Sequence, residues 1–284
     1  MREVEARIPE LVRAALAEDV GDGDRTTLWS VPADRHASAR IVAKGTGVLS
    51  GIPVAREVFR QVDPEIDARP VRSSGDAVAP GDTVLELSGP ARGILTGERV
   101  ALNFLQRLSG VATLTAAYVG AVEGTGARIL DTRKTTPGLR ALERAAVRDG
   151  GGTNHRFGLF DMVLIKENHI AAAGGIIAAV EAVRVRNEAG IAVEVETTDL
   201  AEVEEALAAG VDRILLDNMS VAEMAAAVER VRAAGPDRPE TEASGGVTLE
   251  TVRAIAGTGV EFVSVGALTH SAPALDLSLL VDRP

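Results

Sequence analysis

A repeated alternation of short strand-like segments with alanine-rich helices constrains the fold more than any other feature of this sequence. It begins near Ala127, and its predicted strands cover residues 128–131, 162–166, 192–196, 213–217, 240–244 and 261–265. Helices predicted over residues 200–209, 221–233 and 249–256 separate the later strands. This order is typical of parallel βα units. Because a complete eight-stranded barrel takes about 250 residues, the stretch predicts an open, incomplete (β/α) barrel.

The chain before this stretch has a mixed pattern of helices and strands. Apolar residues at helical spacing predict a first helix over residues 4–16, which ends near Gly21. Short apolar runs punctuated by glycine and proline predict strands at residues 39–43, 68–71 and 83–87. Further helices are predicted over residues 54–62 and 96–122, the second with a break at Gly110.

These patterns predict an α/β fold with two domains. An N-terminal α+β, sandwich-like domain is expected over residues 1–110, and the open barrel, as the catalytic domain, over residues 111–270. The C-terminal segment 271–284 is expected to pack back on the first domain.

Composition excludes several classes of function. A formal net charge of -11 and an aromatic content of 2% argue against a nucleic-acid binder, which needs a basic surface and stacking side chains. No stretch approaches the roughly 18 apolar residues of a membrane span. The absence of cysteine removes thiol chemistry and sulfur-based zinc sites, and it fits a reducing compartment. We therefore expect a cytoplasmic protein that acts on small molecules.

Polar or glycyl groups follow five of the predicted barrel strands. They are Arg133 with Lys134, Lys166, Glu196, Asp217, and Ser244-Gly245-Gly246. The carboxyl ends of parallel strands meet at one edge, where active sites of α/β proteins are assembled. The sequence therefore predicts a functional site at this edge.

A basic cluster lies between residues 131 and 170 of an otherwise acidic chain, which predicts an anionic ligand. Ligand contact is favoured for Arg133, Lys134, Arg156 and Lys166. For Arg140, Arg144 and Arg148, spaced four apart, a solvated and salt-bridged helix face is an equal alternative.

Glycine-rich loops could bring backbone N–H groups close to such a ligand. Two of them are residues 135–138 and 150–156, the second ending in His155-Arg156. Two more, residues 244–248 and 265–269, follow the last strands and each is predicted to open a helix, an arrangement that holds phosphate in many barrels. Tight turns without a ligand are the alternative.

Glu196 and Asp217 are the acids of the predicted edge. They could hold Mg2+, accept hydrogen bonds from sugar hydroxyls, or stabilise positive charge on a sugar ring. Alternatively, they are buried acids neutralised by Lys166 or Arg133. His36 and His270 have no partner pattern and are interpreted as structural.

The sequence resembles the quinolinate phosphoribosyltransferase family, the carboxylating nicotinate-nucleotide pyrophosphorylases. The resemblance covers nearly the whole chain, and its strongest motifs are Asp131-Thr132-Arg133-Lys134-Thr135-Thr136-Pro137-Gly138, Gly150-Gly151-Gly152-Thr153-Asn154-His155-Arg156, Leu164-Ile165-Lys166-Glu167-Asn168-His169 and Leu215-Leu216-Asp217-Asn218. One position departs from the family pattern, because Arg144-Ala145 stands where Lys-Tyr is usual.

The resemblance implies a pentosyltransferase of de novo NAD biosynthesis. Its reaction converts quinolinate and phosphoribosyl pyrophosphate to nicotinate mononucleotide, pyrophosphate and CO2, with Mg2+. It also implies a homodimer with shared active sites, or a larger assembly of such dimers, in which the N-terminal domain of one subunit covers the barrel mouth of the other.

The resemblance also implies roles for individual residues. Arg99 would reach the substrate of the neighbouring subunit. The anion site would be lined by Thr132, Arg133, Lys134, His155, Arg156 and Lys166. Glu196 and Asp217 would bind the ribose and the metal, directly or through water, and with Lys134 and Lys166 they form the predicted catalytic set. The 5'-phosphate would be held by Ser244, Gly245, Gly246, Ser264, Val265 and Gly266.

Three alternatives remain open at this point. A related phosphoribosyltransferase could act on another pyridine or amide acceptor, as in the type associated with molybdenum transport. Lys134 or Lys166 could form an imine in a Schiff-base lyase. A non-catalytic sensor could bind the phosphoribosyl compound without consuming it.

Overall fold

A computed structural model describes the backbone of residues 2–282 and the side chains of residues 6–282. The chain forms two compact units that are interleaved along the sequence. The first contains the residues up to Ala116, Thr135–Gly151 and the segment from Ala267, and the second contains Ala117–Lys134 and Gly152–Gly266. The domain limits at residues 110 and 270 stay predictions.

The first unit is built on an antiparallel sheet. Its strands are β1 His36–Ala43, β3 Asp67–Pro70, β5 Thr83–Pro90 and β12 Leu277–Val281, in the order β12-β1-β5-β3. A separate two-stranded ribbon joins β2 Gly47–Val48 to β4 Ala77–Val78. Ile41, Leu85 and Phe59 are fully buried in the core of this unit.

Six helices belong wholly or partly to the first unit. They are α1 Arg2–Val20, α2 Arg25–Ser30, α3 Ile52–Val62, α4 Ala91–Ala121, α5 Arg140–Asp149 and α11 Ala267–His270. The side chain of Asp24 caps α2 by accepting from the backbone N–H of Thr27 at 3.0 Å.

The predicted break of α4 at Gly110 is wrong, because the helix runs on to Ala121 without interruption. Gly110 serves close packing instead. A Cβ at this position would lie 2.1 Å from the carbonyl oxygen of Pro273, so a side chain there would force the C-terminal segment away.

The second unit is built on a parallel sheet. Its strands are β6 Arg128–Leu130, β7 Val163–Ile165, β8 Val193–Thr197, β9 Arg213–Asp217, β10 Glu240–Ser244 and β11 Phe262–Ser264. Its helices are α6 Glu167–Ala173, α7 Ile176–Arg184, α8 Leu200–Ala209, α9 Val221–Ala233 and α10 Val252–Ala256. The strand order β6-β11-β10-β9-β8-β7 leaves β6 and β7 at opposite edges of the sheet within the described residues. The α/β fold class with an open barrel is thus confirmed.

None of the helices in the described part of the chain is both long and apolar enough to cross a membrane.

Candidate active site

The carboxyl edge of the parallel sheet carries the polar groups that the strand order predicts. Asp217 ends β9 directly beside Ser244, which ends β10, and Ser264 at the end of β11 lies beside Leu130 of β6. Glu196 is the fourth residue of β8. These positions all belong to the second unit, so one unit supplies most of the predicted site.

The loop that carries His155 is held to the end of β6 by a buried carboxylate. Asp131 is fully buried, and its two oxygens accept from the backbone N–H of His155 at 2.7 Å and from Nδ2 of Asn154 at 2.5 Å. The backbone N–H of Thr153 donates to the carbonyl of Ile129 at 2.8 Å. His155 and Arg156 are therefore fixed relative to the sheet.

Two arginines of the predicted anion site interact electrostatically. Burial lowers the pKa of Arg156, and the positive charge of Arg133 lowers it further. Arg156 Nη1 also donates to the carbonyl of Met162 at 3.1 Å. The carboxylates of Glu194 and Asp161 oppose this decrease in the pKa of Arg156. An anionic ligand would add to their compensation of the two cations, so this part of the edge suits one.

Lys166 lies between the end of β7 and the start of α6. Its Nζ pairs with Oε2 of Glu196, and its backbone N–H donates to Nδ1 of His169 at 3.0 Å. The predicted neutralisation of an edge acid by Lys166 therefore occurs for Glu196. The pair is open to solvent, since 47% of the Lys166 side chain is exposed, and it can exchange for a ligand at small cost.

Asp217 is half-buried, and its Oδ2 accepts from Nδ2 of Asn218 at 2.7 Å. Asn218 has a left-handed backbone conformation with φ of 55°, and its N–H donates to the carbonyl of Ser244 at 2.9 Å. A Cβ at Gly245 would lie 2.2 Å from Oδ1 of Asn218, so only glycine fits there. The ends of β9 and β10 are thus locked together.

The turns expected to hold phosphate differ from each other. After Ser244-Gly245-Gly246 the expected helix starts late, because α10 begins only at Val252. The helix predicted over residues 249–256 is therefore present but three residues shorter at its start, and the left-handed conformations of Gly245 and Gly246 (φ of 93° and 58°) turn the chain before it. After Gly266, α11 begins at once. Ser264 donates its hydroxyl to Glu242.

The structure also brings together a buried group of charges that the sequence interpretation missed. His155 Nε2 lies 3.1 Å from Glu194 Oε2 and 3.5 Å from Glu242 Oε1, and both glutamate side chains are completely buried. Arg213 Nη1 contacts Glu242 Oε2 at 3.1 Å. The alternation in Val193-Glu194-Val195-Glu196 and Glu240-Thr241-Glu242 could have revealed them, because strands buried on both faces are normally apolar throughout.

The protonation of His155 is set by two opposing features. The backbone N–H of Arg156 donates to Nδ1 at 2.6 Å, which favours a neutral ring with its hydrogen on Nε2. Burial also favours the neutral ring, but Glu194 and Glu242 outweigh it and raise the pKa of His155 from 6.5 to about 9. That increase corresponds to a free-energy preference of about 3 kcal/mol for the charged ring. One neutral hydrogen bond, such as that from Arg156, contributes only about 1 kcal/mol. The charged ring therefore prevails at neutral pH.

This charge predicts a specific pH dependence of stability. Because the pKa of His155 is higher in the folded state, its contribution is complete below about pH 6.5 and is lost as the pH rises through about 9. Glu194, Glu242, Asp131, Arg156 and Arg213 are the charged groups around it. Urea unfolding across this range should show a loss of about 3 kcal/mol that His155→Gln removes; equal slopes in both proteins would contradict it.

Two predicted sets of basic residues lie in the first unit. Arg99 is exposed on α4, and Arg140, Arg144 and Arg148 lie on α5. Arg140 Nε donates to Oγ1 of Thr135 at 3.0 Å.

The carboxyl edge of the parallel sheet carries arginines, a lysine, two carboxylates and glycine turns. These features define the class of protein, which is an open α/β barrel whose active site binds anionic small molecules.

Comparison with known proteins identifies the family within this class. Models of the N-terminal and C-terminal domains of quinolinate phosphoribosyl transferase match residues 24–109 and 111–280. This chain belongs to the quinolinate phosphoribosyltransferase family.

Individual relatives match over almost their full length. The probable nicotinate-nucleotide pyrophosphorylase [carboxylating] of Synechocystis sp. is 47% identical over 94% of this chain and 90% of its own. The corresponding Bacillus subtilis protein is 43% identical over 96% and 93%. The crystal structure of NadC from Streptococcus pyogenes matches with a TM-score of 0.92 and 42% identity, covering 98% of both chains.

Proposed function

We propose that this chain transfers the phosphoribosyl group of phosphoribosyl pyrophosphate to the ring nitrogen of quinolinate. The products would be nicotinate mononucleotide, pyrophosphate and CO2, in de novo NAD biosynthesis. The observation that carries the proposal is the pair of cations Arg133 and Arg156 at the edge of a chain whose net charge is -11. The names of three relatives that are 43% to 47% identical support it.

The charges of the substrates fit this edge. Quinolinate carries two carboxylates, and its partner carries a phosphate and a pyrophosphate, so several fixed cations are needed to compensate them. Arg133 and Arg156 suit a carboxylate because a guanidinium donates two parallel hydrogen bonds. Lys134 and Lys166 add exposed positive charges. The 5'-phosphate is assigned to the turns 244–246 and 264–266.

The transfer forms a bond from the ring nitrogen to the anomeric carbon and breaks the bond from that carbon to pyrophosphate. Positive charge develops on the ribose, and Glu196 or Asp217 can stabilise it. The ribosylated nitrogen is cationic and stabilises the electron pair that stays on the adjacent ring carbon when the carboxylate departs as CO2; a proton then adds to that carbon. The protein contributes mainly orientation and exclusion of water.

Mg2+ is proposed as the metal, held by Glu196 and Asp217 directly or through water. The donor set fits, because both are carboxylates on adjacent strands, β8 and β9, and Mg2+ prefers oxygen ligands shared with substrate phosphates. Bound Mg2+ would offset the charge of the leaving pyrophosphate. A chelator should abolish turnover, and added Mg2+ should restore it. Full activity after chelation would contradict the assignment.

The homodimer with shared active sites is also a proposal, and Arg99 tests it. Arg99→Ala should lower turnover but leave unfolding unchanged, because this exposed side chain would act in the neighbouring subunit. Mixing Arg99→Ala chains with Lys166→Ala chains should restore part of the activity, since some mixed dimers contain one intact site. No recovery after verified subunit exchange would argue against shared sites.

Quinolinate is favoured over another acceptor, and a direct assay separates them. With phosphoribosyl pyrophosphate and Mg2+ present, the protein should turn over quinolinate at least about 100-fold faster than nicotinate, because a site built for two carboxylates leaves a cation uncompensated with one. Faster reaction of nicotinate would overturn the proposed acceptor.

A Schiff-base mechanism receives no support from the geometry. Lys166 is paired with Glu196 and nearly half exposed, and Lys134 is exposed, whereas an imine-forming lysine is usually desolvated in an apolar pocket or placed beside another cation. Borohydride trapping with a carbonyl substrate should give no adduct. The cytoplasmic location stays a prediction, which fractionation of cells that express this chain would test.

A further inference from the structure

We propose that Glu194 and Glu242 are positioning residues, which hold Nε2–H of His155 between them and thereby orient the ring and the adjacent Arg156 toward the anionic substrate. The inference rests on the proposed function for the identity of that substrate. It assigns a role to two carboxylates that lie inside the sheet, below the edge where the reaction takes place.

The first observation is the geometry around Nε2. Nε2 of the ring lies 3.1 Å from a Glu194 oxygen and 3.5 Å from a Glu242 oxygen, so both carboxylates form ion pairs with this side of the ring. The opposite edge of the ring is also held, because the backbone N–H of Arg156 lies 2.6 Å from Nδ1. His155 is contacted from both sides and has little freedom to rotate.

The second observation is that Glu242 is itself fixed from behind. One oxygen accepts from the hydroxyl of Ser264, and the other pairs with Arg213 at 3.1 Å. The guanidinium of Arg213 lies 4.0 Å from the ring centre of Phe262. These contacts connect β9, β10 and β11, and they fix the Glu242 carboxylate against which the His155 ring is held.

The third observation concerns Glu194. Its side chain is completely buried, yet neither of its oxygens has a well-aligned hydrogen-bond partner among the described residues. Burying a carboxylate without full compensation costs stability. Neighbouring positions of the same strand, Val193 and Val195, are apolar. The contact with His155 explains why an acid occupies this position.

The consequence for the site follows because His155 is directly followed by Arg156, a cation proposed to bind the substrate. Asp131 holds the backbone of His155, whereas Glu194 and Glu242 hold its ring. Arg156 directly follows His155 in the chain, and its backbone N–H lies 2.6 Å from Nδ1, so a turn of the ring displaces the arginine. Loss of either glutamate should therefore weaken binding of the dicarboxylate more than binding of the phosphoribosyl compound.

The test compares Glu194→Gln and Glu242→Gln with the matched control Glu240→Gln. Glu240 lies on the same strand as Glu242 and pairs with the same Arg213 at 2.8 Å, but it is 47% exposed and is not in contact with His155. Steady-state kinetics with each substrate varied gives separate KM values, and nitrogen NMR of the His155 ring reports its hydrogen bonds. His155→Gln identifies the signal among four histidines.

We expect both inner variants to raise KM for quinolinate by about ten- to hundredfold, the usual effect of removing a carboxylate that orients a functional histidine. KM for phosphoribosyl pyrophosphate should change less than about threefold, and the His155 signal should move. A lowered melting temperature with unchanged KM and unchanged signal would overturn the proposal, as would equal effects in Glu240→Gln.

Two further arrangements keep the test decisive. If either glutamine variant does not fold, Glu194→Asp and Glu242→Asp keep the charge and withdraw the carboxylate, and the same shifts are expected. If the wild-type protein does not turn over quinolinate, the proposed function fails. The NMR comparison still tests whether the two glutamates hold His155, and an unmoved signal then overturns this inference.

Discussion

Arg156→Ala is expected to reduce kcat/KM for quinolinate by on the order of 100- to 1,000-fold, which corresponds to about 3 to 4 kcal/mol of lost transition-state binding. The guanidinium can donate two hydrogen bonds to one carboxylate, and burial strengthens each of them. Steady-state kinetics at saturating phosphoribosyl pyrophosphate measures the effect.

Two variants sharpen this result. Arg156→Lys keeps the charge but loses the paired donors, so its activity should fall between those of wild type and alanine. Arg186→Ala removes an exposed cation of the same unit, just after the end of α7, whose Nη1 donates to the carbonyl of Ala182, and it should leave activity unchanged. A loss below about tenfold in Arg156→Ala would contradict the assignment of this residue to the substrate.

Glu143→Ala is expected to destabilise the first unit by about 3 to 5 kcal/mol, because it leaves a buried ion pair broken. Glu143 is completely buried and pairs with Arg107 at 2.9 Å. It also accepts from the backbone N–H and hydroxyl of Thr136 at 3.0 and 2.8 Å. The variant should therefore lose the anchor of the loop that follows Lys134. Urea unfolding of wild type and variant gives the difference.

Glu204→Ala is the matched control for this experiment. Glu204 forms an ion pair with Arg230 at 3.1 Å, but 56% of its side chain is exposed. Surface pairs of this kind contribute between about 0 and 1 kcal/mol. If Glu143→Ala and Glu204→Ala had equal effects, the buried network around Thr136 would not stabilise the chain as inferred.

The barrel strands could be predicted closely because their residues dictate them locally. The segments 213–217 and 240–244 coincide with β9 and β10, and helices 200–209 and 221–233 coincide with α8 and α9. Gly110 could not be interpreted in the same way. Its role depends on Pro273, which is distant in sequence, and close packing rather than helix propensity decided the outcome.

The candidate site could be predicted where it depends on the order of strands and loops along the chain. Parallel strands bring their carboxyl ends to one edge, which is why Lys166 and Glu196 could be expected near each other, and they are in contact. Glu194 and Glu242 were missed because acids within strands resemble solvent-facing positions. Their alternation with apolar residues marks them as unusual, but their contact with His155 depends on a loop that is distant in sequence.

The most direct measurement of the proposed function follows the carboxylate that is lost. The protein is incubated with phosphoribosyl pyrophosphate, Mg2+ and quinolinate labelled in the carboxylate next to the ring nitrogen. Labelled CO2, pyrophosphate and nicotinate mononucleotide should form in equal amounts, and none should form without phosphoribosyl pyrophosphate. Formation of mononucleotide without labelled CO2, or no reaction at all, would contradict the proposed reaction.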